Sequence, residues 1–321
     1  MTRLTDNVIA RLQTEMAVPD LAGTRYQPIK MLGSGGMATV WLVRDTVLQR
    51  EVAMKVLAPE ASGGDLASRL QREAQLLARL EHPGIVPVHD AGTLVDGRTF
   101  YCMKYVQGRT LDEFVQELGL RERLELLRRL AEPVAFAHAR GFVHRDLKPG
   151  NIMIGAFGEV LVMDWGLAKS LQERAGFAEP AGGQTIRELE TAKTAHGTVL
   201  GTRGFMSPEQ ESGDQQEVDE RSDIFALGAI LRLLLADAGE QPSRALRAIA
   251  EKAMSADKTL RYRSVLEFTA DIGRYLLGEP VAAYPETLME RSLRQLRKHQ
   301  VAVVLVLVYL LMRLAFILFS K

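Results

Sequence analysis

Between two strand-like runs stands the string Gly33-Ser34-Gly35-Gly36. Glycines let a backbone come close to a phosphate and aim its N–H groups at it. Alone, such a cluster would serve equally well as a hairpin turn. The next apolar run adds to it: Val52-Ala53-Met54-Lys55 places a lysine inside a strand. An ammonium group at a buried strand position needs an anionic partner. Periodicity supplies a candidate. After Asp65, Leu66, Leu70, Leu77 and Leu80 recur at helical steps and mark an inward face, and Glu73 falls on it between Leu70 and Leu77. A glutamate on a helix is ordinarily solvated, but one aimed among leucines needs a cation, and Lys55 is the candidate. These residues offer a phosphate-binding loop followed by a buried charge pair.

Further along come His144-Arg145-Asp146-Leu147-Lys148-Pro149-Gly150-Asn151, then Asp164-Trp165-Gly166 behind the strand-like Val160 to Met163, then Ser207-Pro208-Glu209. Five motifs in this order resemble those of the protein kinases, over about residues 26 to 278. Gly-Gly-Met in the loop, His82-Pro83-Gly84-Ile85-Val86 and Met206-Ser207-Pro208-Glu209-Gln210 resemble the bacterial Hanks-type serine/threonine branch and its membrane-tethered members. The resemblance implies ATP with Mg²⁺, or Mn²⁺ in its place. Leu32, Gly33, Ser34, Gly35, Gly36 and Val40 would then cover the nucleotide, and Lys55, paired with Glu73, would hold its α- and β-phosphates. Adenine would lie between Val40 and Ala53 above and Met153 below, against a hinge of Lys104, Tyr105 and Val106 with Met103 as gatekeeper. Asn151 and Asp164 would bind the metal, and Asp146 would accept the proton of the substrate hydroxyl, with Lys148 beside it.

Substrate class follows from the same resemblance. Lys148 after the catalytic aspartate and Thr202 before the Pro-Glu motif match kinases acting on Ser and Thr of proteins, and Thr202 would position the substrate. Tyrosine kinases usually replace that lysine, and small-molecule kinases of this fold tend to lack the loop and the threonine. The polar stretch between Asp164 and Glu209 holds Thr185, Thr191, Thr194 and Thr198. Thr194 and Thr198, nearest Thr202, are the expected autophosphorylation sites, their phosphate pairing with Arg145. Asp223 is expected on the backbone of the catalytic loop, Arg261 on Glu209, and Leu77, His144 and Trp165 in one internal stack. The sequence also departs from the family: Ala38 replaces the third loop glycine and Trp165 a phenylalanine. Only the short link Asp237 to Ser243 follows the central apolar helix, where relatives carry a substrate-docking helix. A catalytically dead scaffold is the main alternative, but Lys55, Glu73, Asp146, Asn151 and Asp164 are all present. A small-molecule kinase is the other, separated by whether phosphate appears on protein or on a metabolite.

Apolar runs of strand length dominate from Tyr26 to Tyr105: Pro28–Leu32, Thr39–Val43, Val52–Leu57, Ile85–His89 and Phe100–Tyr105. Helical patterns follow from Leu111 to about Leu277, with Ile224 to Leu235 almost wholly apolar. Strands first and helices after predict an α+β, bilobal fold. We expect a helical lead-in over 1–25, a β-rich small lobe over 26–105, a helical large lobe over 106–278, a basic segment over 279–300 and a transmembrane helix over 301–319. Residues 301–312 are all apolar, Arg313 interrupts, and the run 301–319 gives about 28 Å of helix against a ~30 Å hydrocarbon core. Arg291, Arg294, Arg297 and Lys298 precede it, so the expected topology is a single-pass tail anchor in the inner or plasma membrane with the catalytic lobes cytoplasmic. Tethering would favour a transient homodimer and phosphorylation in trans. Of 321 residues, 40 are Lys or Arg and 40 Asp or Glu, a balance that gives no footprint for nucleic acid. The single cysteine, Cys102, sits in an apolar run and reads as a buried structural thiol in a reducing compartment.

Overall fold

The structure, a computed structural model, describes residues 18–35, 37–58, 64–166, 168–170, 203–213, 216–236, 242–287, 289–292 and 300–319, with backbone alone at 64–65, 169–170, 203, 300–303 and 314–319. The amino-terminal lobe is built on five antiparallel strands: β1 (Tyr26–Ser34), β2 (Ala38–Asp45), β3 (Arg50–Leu57), β4 (Val88–Thr93) and β5 (Thr99–Lys104), in the order β1-β2-β3-β5-β4. Alternation along the central strands sends their side chains two ways. Val52, Met54 and Val56 of β3 join Trp41, Val43, Phe100 and Cys102 in a closed outer core. Ala53 and Leu57 face the other way, with Tyr101 and Met103, toward α1 (Gly64–Arg79) and the second lobe. Cys102 is fully buried in the outer core, and burial pushes its thiol up to about 12, so it is an inert packing residue.

Two sequence expectations shift here. The strand expected over Ile85–His89 begins only at Val88, because Pro87 has no N–H for a ladder and Ile85 instead makes an isolated bridge to Val162 of the second lobe. Of the helical lead-in, residues 1–17 lie outside the described residues. Residues 18–25 form turns rather than helix: Pro19 and the left-handed Gly23 (φ 75°) stop it, and Leu21 plugs the outer core.

The carboxy-terminal lobe packs α2 (Leu120–Ala139), α3 (Glu220–Ala236), α4 (Arg244–Ala253) and α5 (Val265–Leu276). It also carries a three-stranded sheet of β6 (Gly108–Thr110), β8 (Ile152–Gly155) and β9 (Val160–Val162), with β7 (Phe142–Val143) and β10 (Lys169–Ser170) forming a small ribbon. The apolar run read as a buried central helix is α3, with Ile224, Leu227, Ile230, Leu231 and Leu234 fully enclosed. At Gly228 the helices α3 and α4 come so close that a Cβ would meet the Cβ of Ala253 at 2.6 Å. Ser243 caps α4, its hydroxyl accepting the N–H of Leu246 at 3.2 Å; residues 237–241 before it lie outside the described residues.

Beyond α5 the chain is tied back. The buried carboxylate of Asp271 accepts the N–H groups of Ala282 (2.7 Å) and Ala283 (2.9 Å) and the Tyr262 hydroxyl (2.9 Å), and Val281 is buried. The last helix, α6 (Gln300–Phe319), follows. Among the described residues no helix is long and apolar enough to cross a membrane. Side chains of α6 are described only for 304–313, about 15 Å of helix, half of what a bilayer core requires. The expected span over 301–319 is therefore not carried by the described part of α6, and the basic segment is described only in part.

Candidate active site

The register of the five-stranded sheet lines up Gly33, Val40, Lys55 and Tyr101 across β1, β2, β3 and β5. Directly opposed residues share a face, so Val40, Lys55 and Tyr101 point toward the gap between the lobes. Lys55 Nζ lies 2.8 and 3.0 Å from the two oxygens of Glu73 and 3.0 Å from Asp164 Oδ1. Glu73 arrives from α1, whose Leu70, Ala74, Leu77 and Leu80 are buried around it, as the periodicity predicts. Burial opposes the charge on Lys55, but its neighbours Tyr101, Glu73 and Asp164 outweigh it and hold the ammonium well above the ordinary lysine range. Asp164 is held below the usual carboxylate range despite desolvation, chiefly by Lys55.

Below them lies the loop between β7 and β8. Asp146 Oδ2 accepts from Lys148 Nζ at 2.7 Å and from Asn151 Nδ2 at 2.9 Å, and Asn151 Nδ2 also reaches the Asp146 carbonyl at 2.8 Å. The backbone N–H of Met163 donates to the Asn151 carbonyl at 2.8 Å, which brings Asp164 to the same place. The loop is held from beneath by Asp223 in the first turn of α3, which begins at Glu220. Its two oxygens accept the N–H groups of His144 and Arg145, each at 2.8 Å. His138 Nε2 of α2 lies 2.7 Å from the same carboxylate. Burial works against the Asp223 charge, but these partners hold it below the ordinary range. Arg145 and Asp164 both take left-handed backbone conformations (φ 72° and 55°), which only a surrounding structure of this kind sustains in non-glycine residues.

The supporting residues fall where expected. Arg261 Nη1 and Nη2 fork onto the two oxygens of Glu209 at 2.7 and 2.8 Å. The His144 and Trp165 rings pack at a tilt of 59° with centroids 4.6 Å apart, and Leu77 is buried. The Trp165 indole N–H donates to the Val162 carbonyl at 3.3 Å, a bond that a phenylalanine could not make. Of the expected nucleotide contacts, Ala53, Met103 and Val106 are buried, Val40, Tyr105 and Met153 half-buried, and Leu32 exposed on β1. Gly36, Thr185, Thr191, Thr194, Thr198 and Thr202 lie outside the described residues. Sequence reasoning missed Tyr101, whose hydroxyl donates to Glu73 Oε1 at 2.9 Å, together with His138, Ser222 on Glu209 (2.7 Å) and Gln210 on the Arg145 carbonyl (2.6 Å). Tyr101 lies opposite Lys55 only through the β3–β5 register, which alternation along one strand does not give, and the others carry no local signal either.

The donor set can be tested against a divalent cation. Asp164 spends Oδ1 on Lys55 and keeps Oδ2, while Asn151 spends its amide N–H group on Asp146 and keeps its carbonyl oxygen. One carboxylate and one amide oxygen make half a hard-cation site, the kind completed by phosphate oxygens and water. Among the described residues no cluster of three or more His, Cys, Asp or Glu could hold a metal ion by itself.

A two-lobed fold with this cleft defines a class, and comparison with known proteins agrees. The chain belongs to the protein kinase domain family, whose model matches residues 26–274. It is 32% identical over 296 residues to the serine/threonine-protein kinase PknD of Chlamydia caviae, covering 80% of this chain and 32% of that protein. It is 33% identical over 308 residues to the serine/threonine-protein kinase PknB of Mycobacterium tuberculosis, covering 86% and 46%. The chain thus spans a third to just under half of these curated relatives. The crystal structure of the M. tuberculosis PknI kinase domain superposes with a TM-score of 0.55 at 26% identity, covering 78% of this chain and 95% of that one.

Proposed function

We propose that this chain transfers the γ-phosphate of ATP to serine and threonine hydroxyls of proteins, in bacterial signalling. The observation that carries the proposal is the convergence of Lys55, Glu73 and Asp164 above the Asp146–Lys148–Asn151 cluster. Asp146 is free to use Oδ1 on an acceptor hydroxyl, because its other oxygen is held by Lys148 and Asn151. It orients that hydroxyl in line and takes its proton; Lys148 neutralises the charge gathering around it. Lys55 turns from Asp164 toward nucleotide phosphate while Glu73 keeps it in place, and Val40, Ala53, Met103 and Met153 bracket the base. Asp164 and Asn151 would hold Mg²⁺, which when bound would supply charge neutralisation on the phosphates. The relatives' names as serine/threonine-protein kinases support the choice of acceptor.

The proposal extends to regulation and place. Thr194 and Thr198 are phosphorylated by the chain itself, and Arg145 beside Asp146 receives the charge. Residues 301–319 anchor the chain in the membrane, supported by the exposed apolar side chains of 304–312, from 46% at Val308 to 65% at Leu311, and by the basic residues preceding them. Anchoring holds copies near one another for phosphorylation in trans. Incubation with γ-labelled ATP and Mg²⁺, followed by hydrolysis to amino acids, should place label on phosphoserine and phosphothreonine and lose it with chelator. Label on phosphotyrosine or on a metabolite alone would overturn the assignment.

A further inference from the structure

Glu73 is a carboxylate with a side chain only 4% exposed, and its partners come from two directions. Lys55 supplies one on a long flexible stem that is shared with Asp164. Tyr101 supplies the other from β5: the ring is buried (2% exposed), sits opposite Lys55 in the sheet, and donates its hydroxyl to Glu73 Oε1 at 2.9 Å. Lys55 Nζ stands over the same ring, 5.8 Å from its centroid. The two anchors differ in kind. A tyrosine has two side-chain torsions and is fixed by the core around it, whereas a lysine spends its charge wherever anions gather.

We infer that Tyr101 is a positioning residue that keeps Glu73, and with it α1, in the inward position when Lys55 is drawn toward nucleotide phosphate. It touches neither nucleotide nor acceptor, and its role rests on the phosphotransfer proposed above. Once phosphate competes for the lysine, the tyrosine hydroxyl is, among the described residues, the side-chain donor to Glu73 that phosphate does not solicit. Tyr101 is also two residues from Met103, so the strand that borders the expected hinge is joined to α1 through this polar bond. The arrangement makes the active position of α1 a property of the sheet rather than of the nucleotide alone.

The test is Tyr101→Phe in the full chain, which keeps the ring and deletes the hydroxyl. Phosphotransfer kinetics and amide hydrogen exchange are measured side by side. We expect kcat/KM to fall about tenfold, the scale of a lost hydrogen bond to a charged group, with the loss mainly in kcat. Exchange should quicken across Gly64–Arg79 at saturating nucleotide while β3 and β5 stay as protected as in the wild type. A kcat/KM within about twofold of wild type with unchanged α1 exchange would overturn the inference. So would loosening of β3 and β5 together with α1, which would mark Tyr101 as an ordinary core residue. If the wild-type chain transfers no phosphate, the functional proposal fails, and exchange in α1 with and without nucleotide analogue still decides for or against the Tyr101 bond.

Discussion

In the large lobe the Arg261 guanidinium is fully buried against the carboxylate of Glu209. Glu209 is held down to about 2: burial would raise it, and the Arg261 fork and the Ser222 hydroxyl outweigh that. A carboxylate depressed on folding contributes stability above its ordinary value near 4.5, and that contribution is lost as pH falls toward 2. Solvent screening leaves about 1–2 kcal/mol of it. Glu209→Gln should therefore lower the melting temperature at pH 7, and the gap to wild type should close between pH 4.5 and 2; a gap independent of pH would contradict the assignment. Trp165→Phe removes the indole bond to Val162 and part of a ring that is 1% exposed. Denaturant unfolding should show a loss of about 1–2 kcal/mol, and a variant as stable as wild type would show that the bond is idle. Lys55 and Glu73 were legible in the sequence because a charge in an apolar pattern demands a partner. Tyr101 and His138 were not, because an aromatic ring or a histidine among apolar residues looks like any core residue until its polar tip is placed.

At the level of elements, the strands and helices follow from alternation and periodicity, and the misplacements have local causes. Pro87 delays β4, and Pro19 with Gly23 makes residues 18–25, the end of the expected lead-in, a turn that closes the outer core. The close approach of α3 and α4 at Gly228 was not legible, since a glycine within an apolar helix gives no sign of what presses on it. That contact is the counterpart of the short link between the two helices: with little chain between them, α4 returns directly against α3. Gly228→Ala would drive a methyl against Ala253 and Met254 and should cost about 1–3 kcal/mol in thermal unfolding, against the stabilisation that alanine ordinarily brings to a helix. A stabilised variant would mean that the helices separate freely. The Asp271 clasp on Ala282 and Ala283 similarly makes the segment after α5 part of the lobe, beyond the residues that the family model covers.

Across the whole molecule, the sheet delivers Lys55, α1 delivers Glu73, and the helical lobe delivers Asp146, Asn151 and Asp164, so the site exists only where the lobes meet. Deleting residues 300–321 should abolish flotation with lipid vesicles and slow phosphorylation of Thr194 and Thr198 several-fold while leaving transfer to a soluble peptide intact. Equal flotation of both forms would exclude α6 as the anchor. The most direct test of the central claim is Asp146→Asn. The amide keeps the bond to Lys148 within reach of its oxygen but cannot take a proton, so nucleotide affinity should persist while phosphotransfer falls by 10²-fold or more, as for loss of a general base. Retention of transfer near the wild-type rate, with Ser and Thr still labelled, would contradict the assignment of Asp146 and with it the chemistry proposed for the cleft.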